Sequence, residues 1–164
     1  MYEARERLTP EQAKERIKHY CAYAERCHSQ VREKLFSFGL NSRDIDPIMA
    51  TLIEEGYLDE ERFARQFAGG HFRTKGWGRV KIAHALKAKG VSEYCIKRGL
   101  EEIEEEDHHA LLTKLASQKW KSLKGQPPAH RWAKTRLFLL QRGFDPSLVL
   151  QVLRLLQKNG EAEI

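Results

Sequence analysis

Three stretches of the chain share one pattern, and this pattern decides the fold: Leu35-Phe36-Ser37-Phe38-Gly39-Leu40, Leu86-Lys87-Ala88-Lys89-Gly90-Val91 and Leu139-Leu140-Gln141-Arg142-Gly143-Phe144. In each stretch a leucine stands four residues before a glycine, and an apolar residue follows the glycine. Such an ending is typical of an amphipathic helix that stops at a glycine in the left-handed conformation. Positions 39, 90 and 143 are 51 and 53 residues apart, and so regular a spacing indicates a repeat architecture.

The agreement between the three stretches continues beyond the glycine. Further apolar residues recur six, ten and thirteen positions after it: Ile45, Met49 and Leu52; Ile96, Leu100 and Ile103; Val149, Leu153 and Leu156. These spacings place the residues on one face of a helix. Each repeat is therefore predicted to contain a helix, a short glycine turn and another helix, which resembles a helix-turn-helix corner.

Each repeat also has room for a preceding helix. Start signals stand at Thr9-Pro10, Asp59, Ser92 and Asp145-Pro146, where a capping residue precedes a helical pattern. We predict first helices at 10–24, 59–74 and 107–122, second helices at 29–38, 78–89 and 130–142, and third helices at 43–55, 93–105 and 146–158. The predicted fold is all-α, with three tandem three-helix repeats (1–57, 58–106 and 107–164) forming an elongated body.

One break interrupts the third repeat. The residues Gly125-Gln126-Pro127-Pro128 separate its first helix from its second, and this composition fits either a hinge or a rigid turn. We favour the turn. In the same repeat, Trp132 and Phe138 are predicted to belong to the core, although a tryptophan beside basic residues can also stack on bases.

The overall composition is that of a charged, core-forming protein. Of 164 residues, 41% are hydrophobic and 32% are charged, and the formal net charge is +6. The charged N-terminus does not resemble a signal peptide, and no apolar run is long enough to cross a bilayer, so we expect a soluble cytoplasmic protein. The three cysteines, Cys21, Cys27 and Cys95, are interpreted as reduced thiols.

The charge is distributed unevenly among the repeats. The first repeat has nine basic and ten acidic residues, the second ten and nine, and the third ten and four. Within the second repeat, residues 62–98 contain ten basic residues and one acid, and six of residues 101–107 are acidic. The basic run fits a surface for phosphates or for an acidic protein groove. We interpret the acidic run as a solvated segment that helps to start the next helix.

Candidate binding residues follow from these basic segments. The central contact surface is predicted to contain Arg62, Arg65, Arg73, Lys75, Arg79 and Lys81, interleaved with Trp77, and to be extended by Lys134, Arg136 and Arg142. The leucines Leu35, Leu86 and Leu139 are predicted to be structural.

The residue types needed for catalysis are not arranged in a recognisable motif. His19, Cys21, Cys27 and His28 lack the second ligand pair of a structural zinc site, and the adjacent His108 and His109 would point about 100° apart on a helix. Gly69-Gly70 and Gly76-Trp77-Gly78 match no phosphate-binding loop and are interpreted as turns or kinks. We therefore expect no metal, no cofactor and no enzymatic activity.

The stretch EEGYLDEERFARQF at 54–67 resembles the signature of the RecX family of bacterial recombinase regulators. The resemblance covers roughly residues 20–158, and it continues at Arg73, Gly76, Gly78, Arg79, Val80, Leu86, Lys89, Gly90 and Val91, and in VREKL at 31–35 and KTRLFLLQRGF at 134–144. Two positions depart from the family pattern. Ser29 or Cys27 must serve as the cap of the second helix, where the family usually has Ser or Thr, and Ala85 replaces a common acidic residue.

This resemblance implies a regulator that lies in the groove of the RecA–DNA filament. Family members typically lower the ATPase, recombinase and co-protease activities of RecA. The expected partners are the RecA filament and single- or double-stranded DNA, bound without sequence specificity through the basic patches, and we expect a monomer. The alternative is a stand-alone helix-turn-helix DNA-binding protein. None of the predicted third helices carries a good set of residues for reading the major groove.

Overall fold

The fold is taken from a computed structural model, which describes residues 7–162. Over that range the chain forms nine α-helices and no β-strand. The helices make up three tandem three-helix repeats, as predicted: α1 Pro10–Tyr23, α2 His28–Ser37 and α3 Ser42–Glu54; α4 Glu60–Lys75, α5 Arg79–Ala88 and α6 Glu93–Leu100; α7 Glu105–Ser122, α8 Pro128–Gln141 and α9 Pro146–Ala162.

The helices begin where side chains can satisfy their first free N–H groups. Thr9 and Gln12 form a reciprocal capping box at the start of α1. The Asp59 carboxylate accepts a hydrogen bond from the Arg62 N–H at 3.0 Å, and the Ser92 hydroxyl accepts one from the Cys95 N–H at 3.2 Å. Helix α2 begins after Cys27, whose N–H donates to Gln30 Oε1 at 3.0 Å, so Cys27 and not Ser29 holds the N-cap position.

The second helix of every repeat ends at the predicted glycine. Gly39, Gly90 and Gly143 have φ angles of +85°, +78° and +92°, a region that a residue with a Cβ rarely adopts. The N–H that follows the glycine closes the turn in two repeats, from Val91 to Leu86 O and from Phe144 to Leu139 O, both at 3.2 Å. These bonds satisfy carbonyls at the helix ends, so the glycine prediction is confirmed.

The described residues form two compact units. Unit 1 contains the described residues up to Gln66 together with Leu86–Gly99, and unit 2 contains Phe67–Ala85 together with the described residues from Leu100 onward. The boundaries of the units thus lie within α4, within α5 and at the end of α6.

Each unit has its own apolar core. In unit 1, α1, α2 and α3 contact one another around buried residues that include Ile17, Leu35 and Leu52. In unit 2, α7, α8 and α9 contact one another around buried residues that include Leu112, Leu139 and Leu153. Leu86 is also fully buried, so the structural role predicted for the three repeat leucines is supported by their burial.

The largest error in a predicted helix boundary lies in the middle repeat. The third helix of the middle repeat was expected to extend to residue 105, but α6 ends at Leu100. Acidic residues are unfavourable at the negative end of a helix dipole and favourable at its positive end. Accordingly Glu105, Glu106 and Asp107 occupy the first turn of α7, as the interpretation of the acidic run anticipated.

The predicted turn before α8 is present. Gly125 has a φ of +91°, the Gln126 N–H donates to Leu123 O at 3.1 Å, and Pro128 is the first residue of α8. Trp132 and Phe138 are half-buried and pack against the core of unit 2, in line with their predicted core role.

Candidate nucleic-acid and protein interface

Two of the predicted binding residues, Arg62 and Arg65, are bonded to acidic side chains within unit 1. The Arg62 guanidinium pairs with Glu25 and donates to Gly56 O at 3.1 Å. Arg65 pairs with Glu61 at 3.1 Å, and Arg98 reaches the same carboxylate at 3.2 Å. A guanidinium that is already neutralised attracts an outside anion less strongly than a free one does.

Arg79 is likewise engaged, within unit 2. Its guanidinium pairs with Glu105 at 3.0 Å and donates to Ile103 O at 3.0 Å. Its backbone N–H points to Nε2 of the buried His108 at 3.5 Å. Arg79 therefore joins the start of α5 to the start of α7, and this intramolecular role accompanies the contact role predicted for it.

Two other predicted residues lie beside one aromatic ring, and a third is bonded to the same loop. The Lys81 Nζ lies 4.7 Å from the centroid of the Trp77 ring, and the Lys75 Nζ lies 5.4 Å from it. The Arg142 guanidinium donates to Lys75 O at 2.9 Å. We call Lys75, Trp77, Lys81 and Arg142 the Trp77 cluster; all four belong to unit 2.

The cluster is assembled by a backbone contact. The loop between α4 and α5 docks on the turn between α8 and α9, since the Gly78 N–H donates to Arg142 O at 2.8 Å and the Val80 N–H donates to Gly143 O at 2.9 Å. A Cβ on Gly78 would lie 2.6 Å from the Gly143 carbonyl carbon, so only glycine permits this approach.

One residue beside the cluster, His71, was not predicted from the sequence. The His71 ring lies 4.7 Å from the Trp77 ring and stacks on Phe67 at 3.9 Å between centroids. His71 Nδ1 is 2.8 Å from Phe67 O, so this nitrogen donates the hydrogen bond and fixes the ring. The spacing of Phe67 and His71, four residues apart on α4, is the signal that could have predicted the pair.

The remaining predicted residues are exposed in unit 2. Lys134 donates to Gln126 Oε1 at 2.9 Å, whereas neither Arg73 nor Arg136 forms a salt bridge with any residue in the range 7–162. The structure thus brings Lys75, Lys81 and Arg142 together. By contrast, Arg73, Lys134 and Arg136 are separate exposed charges.

In residues 7–160, no group of three or more His, Cys, Asp and Glu side chains could hold a metal ion. No helix in that range is both long and apolar enough to cross a membrane.

Family models match the two repeats that carry these residues. The model of the second three-helix domain of RecX matches residues 59–100, and that of the third three-helix domain matches residues 105–153. The chain belongs to the RecX family. Its RecX relatives include the regulatory protein RecX of Pelodictyon phaeoclathratiforme, which is 35% identical over 137 residues and is matched over 82% of this chain and 84% of its own length. That of Thermotoga petrophila is 34% identical over 132 residues, covering 80% and 76% of the two chains.

Solved RecX structures have the same fold. A crystal structure of a regulatory protein RecX matches with a TM-score of 0.79 at 24% identity, over 87% of this chain and 70% of the other. The RecX of Lactobacillus salivarius matches with a TM-score of 0.83 at 18% identity, over 90% and 96%. As a RecX family member the chain has a regulatory role, and its second and third repeats correspond to known RecX domains.

Proposed function

We propose that this RecX protein binds the RecA–DNA filament and lowers the ATPase, recombinase and co-protease activities of RecA, without catalysing a reaction itself. The RecX name of its relatives and the two domain matches support a regulator of this kind. We further propose that it acts in the cytoplasm as a monomer. Light scattering on the purified protein would then give its chain mass of 19.1 kDa.

The Trp77 cluster is the observation that carries this proposal. Lys75 and Lys81 form no ion pair with any residue described by the structure, and neither does Arg142. Three unneutralised cations so close together create a positive potential that attracts phosphates or acidic side chains. The Trp77 ring offers a face for cation or base stacking beside them.

The cluster also suits binding without sequence specificity. A helix-turn-helix reader needs base-reading side chains on a recognition helix, but α6 has only eight residues, and its Arg98 is bonded to Glu61. Cations around an aromatic ring instead recognise the backbone of a single strand. If the three cations each contact one phosphate, log K should fall with log salt at a slope of about −2.

Co-sedimentation with preformed RecA filaments on single-stranded DNA tests the proposal. The Lys75→Glu/Lys81→Glu variant should bind at least about tenfold more weakly, because reversing both charges replaces attraction by repulsion. The matched control is Lys87→Glu/Lys97→Glu, which makes the same charge change at two exposed residues of unit 1. Equal binding by the two variants would contradict the role of the Trp77 cluster.

A mobility shift with duplex DNA alone separates the proposal from the stand-alone DNA-binding alternative. We expect weak binding at physiological salt in the absence of RecA. Tight duplex binding that RecA does not enhance would instead favour the alternative.

A further inference from the structure

A second basic site lies in unit 2 and shares no residue with the Trp77 cluster. It is a cavity of about 720 Å³, within the size range of small-molecule sites. Its walls come from the end of α7, the start of α8 and the end of α9, and they include Trp120, Lys121, Lys124, Arg131, Leu156 and Asn159.

One wall of the cavity is held rigidly. The Arg131 guanidinium lies 4.2 Å from the centroid of the Trp120 ring, and Arg131 Nε donates to Trp120 O at 2.8 Å. These two contacts use the ring face and one nitrogen, and the terminal nitrogens make no hydrogen bond to a residue in the described part of the chain. Because the Arg131 guanidinium is already ordered, its side chain loses little entropy when it binds an anion.

The charge of the cavity is unbalanced. Lys121, Lys124 and Arg131 carry three positive charges, and none of the acidic residues between positions 7 and 160 lines the cavity. The negative end of the α7 dipole opposes them only weakly, since the carbonyls of Trp120, Lys121 and Leu123 already accept hydrogen bonds. Both lysines are exposed and form no salt bridge with any residue from 7 to 160. Like charges held around one concave surface raise the local concentration of anions.

We propose that this cavity binds a polyphosphate anion, of the size of the di- or triphosphate group of a nucleotide. Arginine binds phosphate oxygens in pairs and lysine binds them as a point charge, so the three cations match two or three linked phosphates. Leu156 and the edge of Trp120 form an apolar wall on which a nucleoside can pack. The concave shape fits a compact ligand better than it fits a stiff duplex, whose phosphates lie on a convex surface.

Calorimetric titration with inorganic tripolyphosphate, and separately with ATP, tests the assignment. The tightest binding of tripolyphosphate is expected to have a stoichiometry of one. Lys121→Gln/Lys124→Gln should weaken binding by about tenfold or more, because two charge-assisted contacts are lost. The control, Lys114→Gln/Arg154→Gln, removes the same charge from two exposed residues of unit 2 that do not line this cavity, and its affinity should stay within about twofold of wild type.

Nuclear magnetic resonance locates the ligand. The indole N–H resonance of Trp120 should shift at a lower ligand concentration than that of Trp77. Tighter binding of ATP than of tripolyphosphate would show that the apolar wall contributes, and equal binding would show that the phosphates alone are recognised; both results support the site. Absence of binding by both ligands, equal loss in the control, or a shift of Trp77 and not Trp120 would overturn it.

Discussion

Replacing Gly143 with alanine should disrupt the contact that assembles the Trp77 cluster. Gly143 has a φ of +92°, and a Cβ there would lie 2.6 Å from the Lys81 backbone nitrogen and 2.9 Å from its Cα. Since these are backbone atoms, no side-chain rotation relieves the overlap. The loop between α4 and α5 must move away, which breaks the bonds from Gly78 to Arg142 O and from Val80 to Gly143 O.

The magnitude follows from three contributions to the free energy of unfolding. A left-handed backbone costs a non-glycine residue about 1–2 kcal/mol. Steric overlap in a packed contact costs about 1–3 kcal/mol. Two lost hydrogen bonds cost about 1 kcal/mol each. Alanine also makes the unfolded chain less flexible, which offsets roughly 0.4–1 kcal/mol. The Gly143→Ala variant should therefore lose about 5 kcal/mol.

Gly90 provides the matched control. It is the equivalent glycine of the middle repeat and has a φ of +78°, but a Cβ there would meet nothing within 4 Å. Gly90→Ala should therefore lose only about 1 kcal/mol. This is the cost of the left-handed backbone, reduced by the lower flexibility of the unfolded chain. Both variants are measured by urea unfolding followed by circular dichroism. All three tryptophans belong to unit 2, so their fluorescence reports on the Gly143 variant as well. Losses that agree within about 0.5 kcal/mol would show that the overlap with Lys81 costs no stability.

Three further predictions concern stability. Burial and the charge of Arg79 lower the pKa of His108, so its stabilising contribution is complete above its ordinary pKa of about 6.5 and declines as the pH falls below that value. His108→Gln should therefore reduce the change in the urea unfolding midpoint between pH 7 and pH 5. An unchanged pH dependence, or the same reduction in the exposed-site control His109→Gln, would contradict this. Leu139→Ala should lose about 2–5 kcal/mol because the side chain is fully buried, and a loss under about 1 kcal/mol in urea unfolding would not fit. Thr9→Ala should lose about 1 kcal/mol by removing the hydroxyl that accepts from the Gln12 N–H at 3.2 Å, and an unaltered melting curve would argue against the cap.

The repeat could be predicted from the sequence because its determinants are local. A glycine stop and apolar residues at helical spacing fix a helix pair whatever lies around it. The end of α6 was harder to predict, since Ile103 continues the apolar pattern although the chain has already left the helix at Leu100. Ile103 is buried although it lies in a turn, so an apolar residue at helical spacing does not always belong to the helix.

The candidate site was harder to predict than the fold, because whether a basic side chain is paired with an acid depends on residues far away in the sequence. Arg62 and Lys75 look alike in a basic run, yet Arg62 pairs with Glu25, 37 residues away, whereas Lys75 lies beside Trp77. Lys75 and Arg142 are joined by a hydrogen bond from the Arg142 guanidinium to Lys75 O, between residues 67 apart in the sequence. The glycines on both sides of Trp77 were the available signal, because small residues permit such an approach.

Titration of the protein against cognate RecA on single-stranded DNA, with ATP hydrolysis as the readout, tests the central proposal most directly. The rate is predicted to fall in a saturable manner as the protein approaches stoichiometry with RecA. In the Lys75→Glu/Lys81→Glu variant, the protein concentration that gives half-maximal inhibition should rise about tenfold or more. The Lys87→Glu/Lys97→Glu control should inhibit like the wild type. An ATPase rate that stays constant through stoichiometric protein would contradict the proposed function.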